Sequence, residues 1–220
     1  GSADTVTIDG HASGLNGGTI TVNTTVTVTS ITAGAMVGTL DFSANNNNVT
    51  CSSTTTGVSF GGSGTRTINM GSGTWTMSGG GTFDSGTVTN LTATYSNATL
   101  ALNGNSAARV FGGGALTYGA VSIGANSTKG YVGFSGSNSF ASLTIADGNA
   151  FLPAQSATQT VTGALTITGT SSAPCAMQSS APQTAVATVS VGSASTLAYC
   201  SVLRITKSGA GSITGTNSFD

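Results

Sequence analysis

The chain has 220 residues, of which 38% are hydrophobic and only 5% charged, with a formal net charge of −1. Five cations, Arg66, Arg109, Lys129, Arg204 and Lys207, make no basic stripe, so nucleic-acid binding is not expected. No apolar run is long enough to span a bilayer as a helix, so membrane insertion is not expected.

Glutamate is absent, and lysine and glutamine are scarce. Thr, Ser, Gly, Asn and Val dominate, a palette of strands and turns. Low charge and three prolines also argue against a disordered chain. A surface of hydroxyls and amides suits secreted, surface-displayed or virion-assembled proteins. Gly1 and Ser2 read as a cloning remnant, and 3–220 as a single elongated domain, less regular over 3–110.

The expected elements, in chain order, begin near the N-terminus. Asp4 and Asp9 lie in an entry region, and His11, the single histidine, sits in the loop sequence DGHASG. In TVTVT (25–29), Val26 and Val28 share one face and the threonines the other. NNNN (45–48) is either an exposed loop or, preferably, an Asn ladder in a corner. GTWTM (73–77) pairs Trp75 with Met77 on the face opposite Thr74 and Thr76, which favours a core role for both. LTATY (91–95) and TLALN (99–103) alternate in the same way. FGGGALTYG (111–119) lacks the Lys-Ser/Thr of a phosphate loop, so its glycines read as a tight corner.

The central segment repeats. AVSIGAN starts at 120, SLTIADGN at 142 and ALTITGTS at 164, steps of 22 residues (142−120 and 164−142). The apolar pairs Val121/Ile123, Leu143/Ile145 and Leu165/Ile167 are expected to form the core. Val189/Val191 and then Leu203/Ile205 read as later members, and GSNSF (136–140) is echoed by GTNSF (215–219). A coil-sized period predicts an all-β, right-handed parallel β-helix (β-solenoid) with coils of about 22 residues. Ten coils at about 4.8 Å each would give a rod on the order of 50 Å. The alternative is an antiparallel β-sandwich, above all in the N-terminal half.

Cys51, Cys175 and Cys200 lack zinc-site spacing, and an odd count excludes complete intrachain pairing. Cys175 and Cys200 could sit on neighbouring coils and pair, although a free buried cysteine, a common small core residue, is the preferred reading. Sequons occur at Asn23, Asn48, Asn90, Asn97 and Asn126 and matter only in a eukaryotic secretory pathway. No cofactor is expected.

An ordered series of motifs adds a resemblance. TRTINMGSGTWTMSGGGTF (65–83), LTATYSNATLAL (91–102), RVFGGGALTYGAVSI (109–123) and GSNSFASLTIADGN (136–149) resemble a family of bacteriophage virion-associated β-helical structural proteins. The likeness covers about 65–170, and LDFSANNNNVTCSS (40–53) matches more loosely. The lysine usual before the family's TF is missing from RVFGGG (109–114). The resemblance implies a segment of a tail fibre, spike or other virion appendage, on the particle surface. It carries no catalytic residue set. Such appendages are commonly homo-oligomeric, with a trimer favoured, and contact other virion proteins.

Other functions have thinner support. A polysaccharide depolymerase needs paired carboxylates, whereas Asp84 and Asp147 follow strands and read as turn residues, so no enzyme is expected. A glycan-binding adhesin would use exposed aromatics, for which Tyr118 and Tyr131 are the candidates, against a host surface glycan. Thr-x-Thr pairs (Thr65/Thr67, Thr74/Thr76, Thr87/Thr89, Thr92/Thr94, Thr166/Thr168) raise ice binding. The central repeat offers only a single outward row, Ser122, Thr144 and Thr166, and strand preference explains threonine there.

Overall fold

The computed structural model describes residues 4–8, 17–104, 108–124, 129–146 and 148–218. Every regular element among them is a strand, and every strand pairing is parallel. The strands wind into a three-sided solenoid with a spacing of ~23 residues, about eight turns separating its first coil from its ninth. The antiparallel sandwich is therefore not the fold of the N-terminal half either.

Each coil lays one strand on each face. The first coil has Thr5–Thr7, Thr19–Thr21 and Val26–Val28, and the second Ser30–Thr32, Gly38–Asp41 and Val49–Cys51. The third has Thr56–Ser59, Arg66–Asn69 and Thr74–Met77, and the fourth Thr82–Asp84, Leu91–Thr94 and Thr99–Leu102. In the fifth (Ala108–Gly112, Thr117–Ile123) and sixth (Tyr131–Ser135, Ser139–Ala146), one long strand turns the corner and serves two faces. The seventh has Ala150–Pro153, Thr158–Val161 and Leu165–Thr168, and the eighth Cys175–Gln178, Ala187–Val191 and Ser195–Ala198. The ninth has Cys200–Leu203, Ile205–Ser208 and Ile213–Thr216. The first face is one nine-stranded sheet, and its eight steps at about 4.8 Å give a stack about 38 Å long, shorter than ten coils would be.

Alternation decides what goes inside. On the third face Val49, Trp75, Leu100, Val121, Leu143 and Leu165 form one inward column. Beside it run Leu102, Ile123, Ile145, Ile167 and Leu197. On the first face Phe83, Phe111 and Phe134 stack in register, with ring centroids 5.4 and 4.8 Å apart. On the second, Tyr95, Tyr118, Phe140, Val161 and Val191 align. No coil closes a core alone, so stacking buries these columns.

The repeat after 167 differs from the sequence expectation. Ile167 stacks on Leu197, 30 residues on, whereas Val189 and Val191 stack on Gln159 and Val161 of the second face. Leu203 and Ile205 lie on different faces. The V/L-x-I signature recurs because two faces both need alternating apolar residues, so the motif marks a strand and not a particular face.

Corners absorb the variation in coil length. In NNNN, Asn46 Oδ1 accepts from Ser72 N (2.9 Å), Asn48 Oδ1 from Thr74 N (2.8 Å), and Asn45 Nδ2 donates to Asn23 O (3.0 Å). The asparagines thus clasp the backbones of the coils on either side and do not pair with one another. Asn46 itself has φ 51°, a region asparagine tolerates. GSNSF forms a second latch: Asn138 Nδ2 donates to Ser135 O (2.9 Å) and Gln159 Oε1 (3.0 Å), while its Oδ1 accepts from Ala115 N (3.1 Å). In the echo, Ser218 Oγ donates to Leu197 O (3.1 Å), and Phe219 lies outside the described residues.

Gly34 and Gly62 meet backbone to backbone between the second and third coils, and a Cβ on either would overlap the other's corner. Gly62→Ala is expected to cost about 1–3 kcal/mol, the range for overpacking. Chemical denaturation of both proteins checks it, and an unchanged midpoint would show that the corner can spread.

Candidate functional site

The chemistry-bearing residues are dispersed. Asp41 Oδ1 accepts from Ser43 N (2.8 Å) and Asp84 Oδ1 from Gly86 N (2.7 Å), so both carboxylates hold their own turns. Asp9, His11 and Asp147 lie outside the described residues. Among the described residues no three His, Cys, Asp or Glu side chains gather as a metal site.

Two arginines are buried and serve the backbone. Arg66 donates from Nε to Phe60 O (2.9 Å), from Nη1 to Gly64 O (2.8 Å) and Thr89 O (3.0 Å), and from Nη2 to Thr87 O (2.8 Å). Arg109 donates to Leu102 O (2.7 Å) and Asn149 Oδ1 (2.6 Å), leaving its Nε without a partner. Neither guanidinium faces solvent, so neither is displayed to an anionic ligand. Residue type alone gave no sign of this, because arginine is rarely buried without an acid.

The aromatic candidates separate. Tyr118 is fully buried, and its hydroxyl donates to Gly113 O (2.7 Å). It belongs to the inward column of the second face, and the expectation that it contacts a glycan is corrected. The reason is the corner: Gly113 and Gly114 turn the chain so that Tyr118 aligns with Tyr95 and Phe140. Tyr131 is 43% exposed on the first face, between the small residues Ala108 and Ala150. Trp75 is fully buried, its ring centroid 4.6 Å from that of Phe42, and its indole N–H donates to Met70 O (3.1 Å).

The faces themselves are the most ordered surface features. On the third, Thr27, Thr50, Thr76, Ala101, Ser122, Thr144, Thr166, Thr196 and Thr214 lie in register, one per coil. Ala101 is the single residue of that row without a hydroxyl, and none of the third-face strands carries a charge. On the second, Thr158/Thr160, Thr188/Ser190 and Thr206/Ser208 stack as paired hydroxyls over three coils. Sequence reading found only three members of the third-face row. The step between its members varies from 18 residues (Thr196 to Thr214) to 30 (Thr166 to Thr196), so no fixed period exposes the rest.

The first face differs over its last five coils. Val110 (47% exposed), Tyr131 and Leu203 (48%) project from strands whose one charged side chain, Arg109, is buried. Val110, Gly133 and Leu152 align, and the missing side chain at Gly133 leaves a shallow notch between them. A larger apolar concavity of about 460 Å³ lies at the ninth coil, bounded by Met177, Leu197, Val202, Ile205 and Ile213. Its lone cation, Lys207, donates to Gly209 O (2.7 Å).

No protein family, curated protein or solved structure matches this chain. No described residue lies in a helix long and apolar enough to cross a membrane.

Burial pushes the Cys51 and Cys200 thiols up to about 12, Cys200 also through the charge of Cys175, and raises the Tyr95 and Tyr118 hydroxyls. The folded chain therefore keeps protons that the unfolded chain gives up. Stability is fully present below the ordinary thiol value of about 8.5 and is lost as pH rises toward 12. Melting temperatures recorded from neutral to alkaline pH should fall in that window; a flat alkaline profile would contradict the burial of these groups.

Proposed function

We propose that this chain is a rigid, non-catalytic β-solenoid segment of a bacteriophage tail fibre, spike or other virion appendage. The observation that carries it is the continuous core: the first and third faces pair strand to strand from the first coil to the ninth, and the second is joined between the fourth and fifth coils by the Tyr95–Tyr118 bridge. Such a stack resists bending because each coil is held by its neighbours along both edges. The ordered motifs from 65 to 149 supply the virion part of the reading. Antibody against the chain should label an appendage on purified particles that encode it. Particles that assemble without the protein would overturn the assignment.

The uncharged first face of the fifth to ninth coils is where copies of the chain would pack into a homo-oligomer, with a trimer favoured. Tyr131→Asp and Leu203→Asp together should then shift the species seen by light scattering from trimer to monomer. A wild-type chain that is monomeric at all concentrations would remove this part.

A second reading has its own observation, the hydroxyl row of the third face. Hydroxyls about 4.8 Å apart in register on an uncharged sheet suit a ligand that itself repeats, as ice does. Thermal hysteresis that disappears in Thr144→Tyr and Thr166→Tyr would support it, and none in the unaltered chain would sink it. The glycan-adhesin alternative now rests on Tyr131 alone, and a glycan array tests it.

A further inference from the structure

Cys175 and Cys200 are direct partners across the first face, in the eighth and ninth coils. Their backbones are in register in a parallel pair, which sets the Cα atoms about 4.8 Å apart. That lies inside the window of about 4.4–6.8 Å that a disulfide spans without moving the backbone. Both side chains face the interior, at 2% and 0% exposure, and Met177 lies beside Cys175 on the inward side of the same strand. Cys51 is placed differently: it stacks between Val28 and Met77 on the third face of the second coil, with no cysteine above or below.

We propose that Cys175 and Cys200 form an intrachain disulfide that covalently joins the eighth and ninth coils under oxidising conditions. With oxidised glutathione as oxidant, one cysteine thiolate attacks a glutathione sulfur and releases one glutathione thiolate. The second cysteine thiolate then attacks the protein sulfur of that mixed disulfide and releases the other. The two protein thiols lose two protons and two electrons, and one glutathione disulfide becomes two glutathione thiols.

Burial makes the Cys200 thiolate scarce in the closed stack, so exchange through it is slow there. It proceeds while the ninth coil is open, during folding or fraying of the end. The closed bond then holds the strand that carries Val202 against Met177, which fixes one wall of the apolar concavity at the ninth coil. The inference is independent of any role in a virion.

The experiment refolds the full chain from urea with oxidised glutathione and counts thiols by alkylation under denaturing conditions. The expected result is a drop from three reactive thiols to one, with the intact mass lower by two hydrogen atoms and no dimer on a non-reducing gel. Cys51→Ser should still lose two thiols, whereas Cys175→Ser and Cys200→Ala should each lose none. The oxidised protein should melt at a higher temperature than the same sample with reductant. Three reactive thiols after oxidation, a bond that includes Cys51, or a disulfide-linked dimer would each overturn the proposal. Cys200→Ala keeps an apolar residue at the site, so circular dichroism of that variant separates loss of the bond from loss of the fold.

Discussion

Trp75→Ala is expected to destabilise the chain by about 3–5 kcal/mol, the range for deleting a buried large aromatic. Trp75 is fully buried and touches the rings of Phe42 and Phe60 at centroid distances of 4.6 and 5.9 Å. It is also the rung between Val49 and Leu100 on the third face. Its removal leaves a cavity between the Val49 and Leu100 rungs and leaves Met70 O without its indole donor. Because coils hold one another only through neighbours, the loss should concentrate in the second to fourth coils. Urea unfolding followed by circular dichroism measures the total, and hydrogen exchange locates it. Trp75→Phe should recover part of the loss, since it refills volume without restoring the hydrogen bond. A cost below about 1 kcal/mol for the alanine variant would show that the column does not depend on this rung.

Arg66→Lys is expected to behave almost as badly as Arg66→Ala, with both costing about 3 kcal/mol or more. Four carbonyl oxygens from the corners of the third and fourth coils converge on one planar fork. Lysine carries the charge but offers a single nitrogen, which cannot reach Phe60 O, Gly64 O, Thr87 O and Thr89 O together. Phe60 O, whose bond is fully buried, is then left without its donor, whereas Thr87 O keeps the Gly62 N–H. Arg66→Met tests the same point with similar length and no donor. Denaturation midpoints of the three variants decide it: near wild-type stability in the lysine variant would mean that charge, and not the fork, holds this corner.

Much of the fold was legible because period-two alternation is a local property. Leu143 and Ile145 on one side and Thr144 on the other need no knowledge of the next coil. The 22-residue step was also legible where two successive corners have equal length, from Val121 to Leu143 to Leu165. It failed after Ile167, where a longer excursion places Leu197 on top and sends Val189 to another face. Tyr118 shows the same limit at one residue. It is a candidate exposed aromatic by residue type, yet its register with Tyr95 and Phe140 places its ring in the inward column of the second face.

The sequence by itself determined that the chain is all-β, that its strands bury one side, and that Cys175 and Cys200 fall about one coil apart. These follow from side-chain type and spacing within a few residues, which backbone geometry translates directly into faces. Only the tertiary structure decided which strands share a face, that eight hydroxyls line one uncharged row, and that two arginines sit in the interior without an acid. Those depend on coil register, and register is set by corner lengths that range too widely for any fixed period to describe.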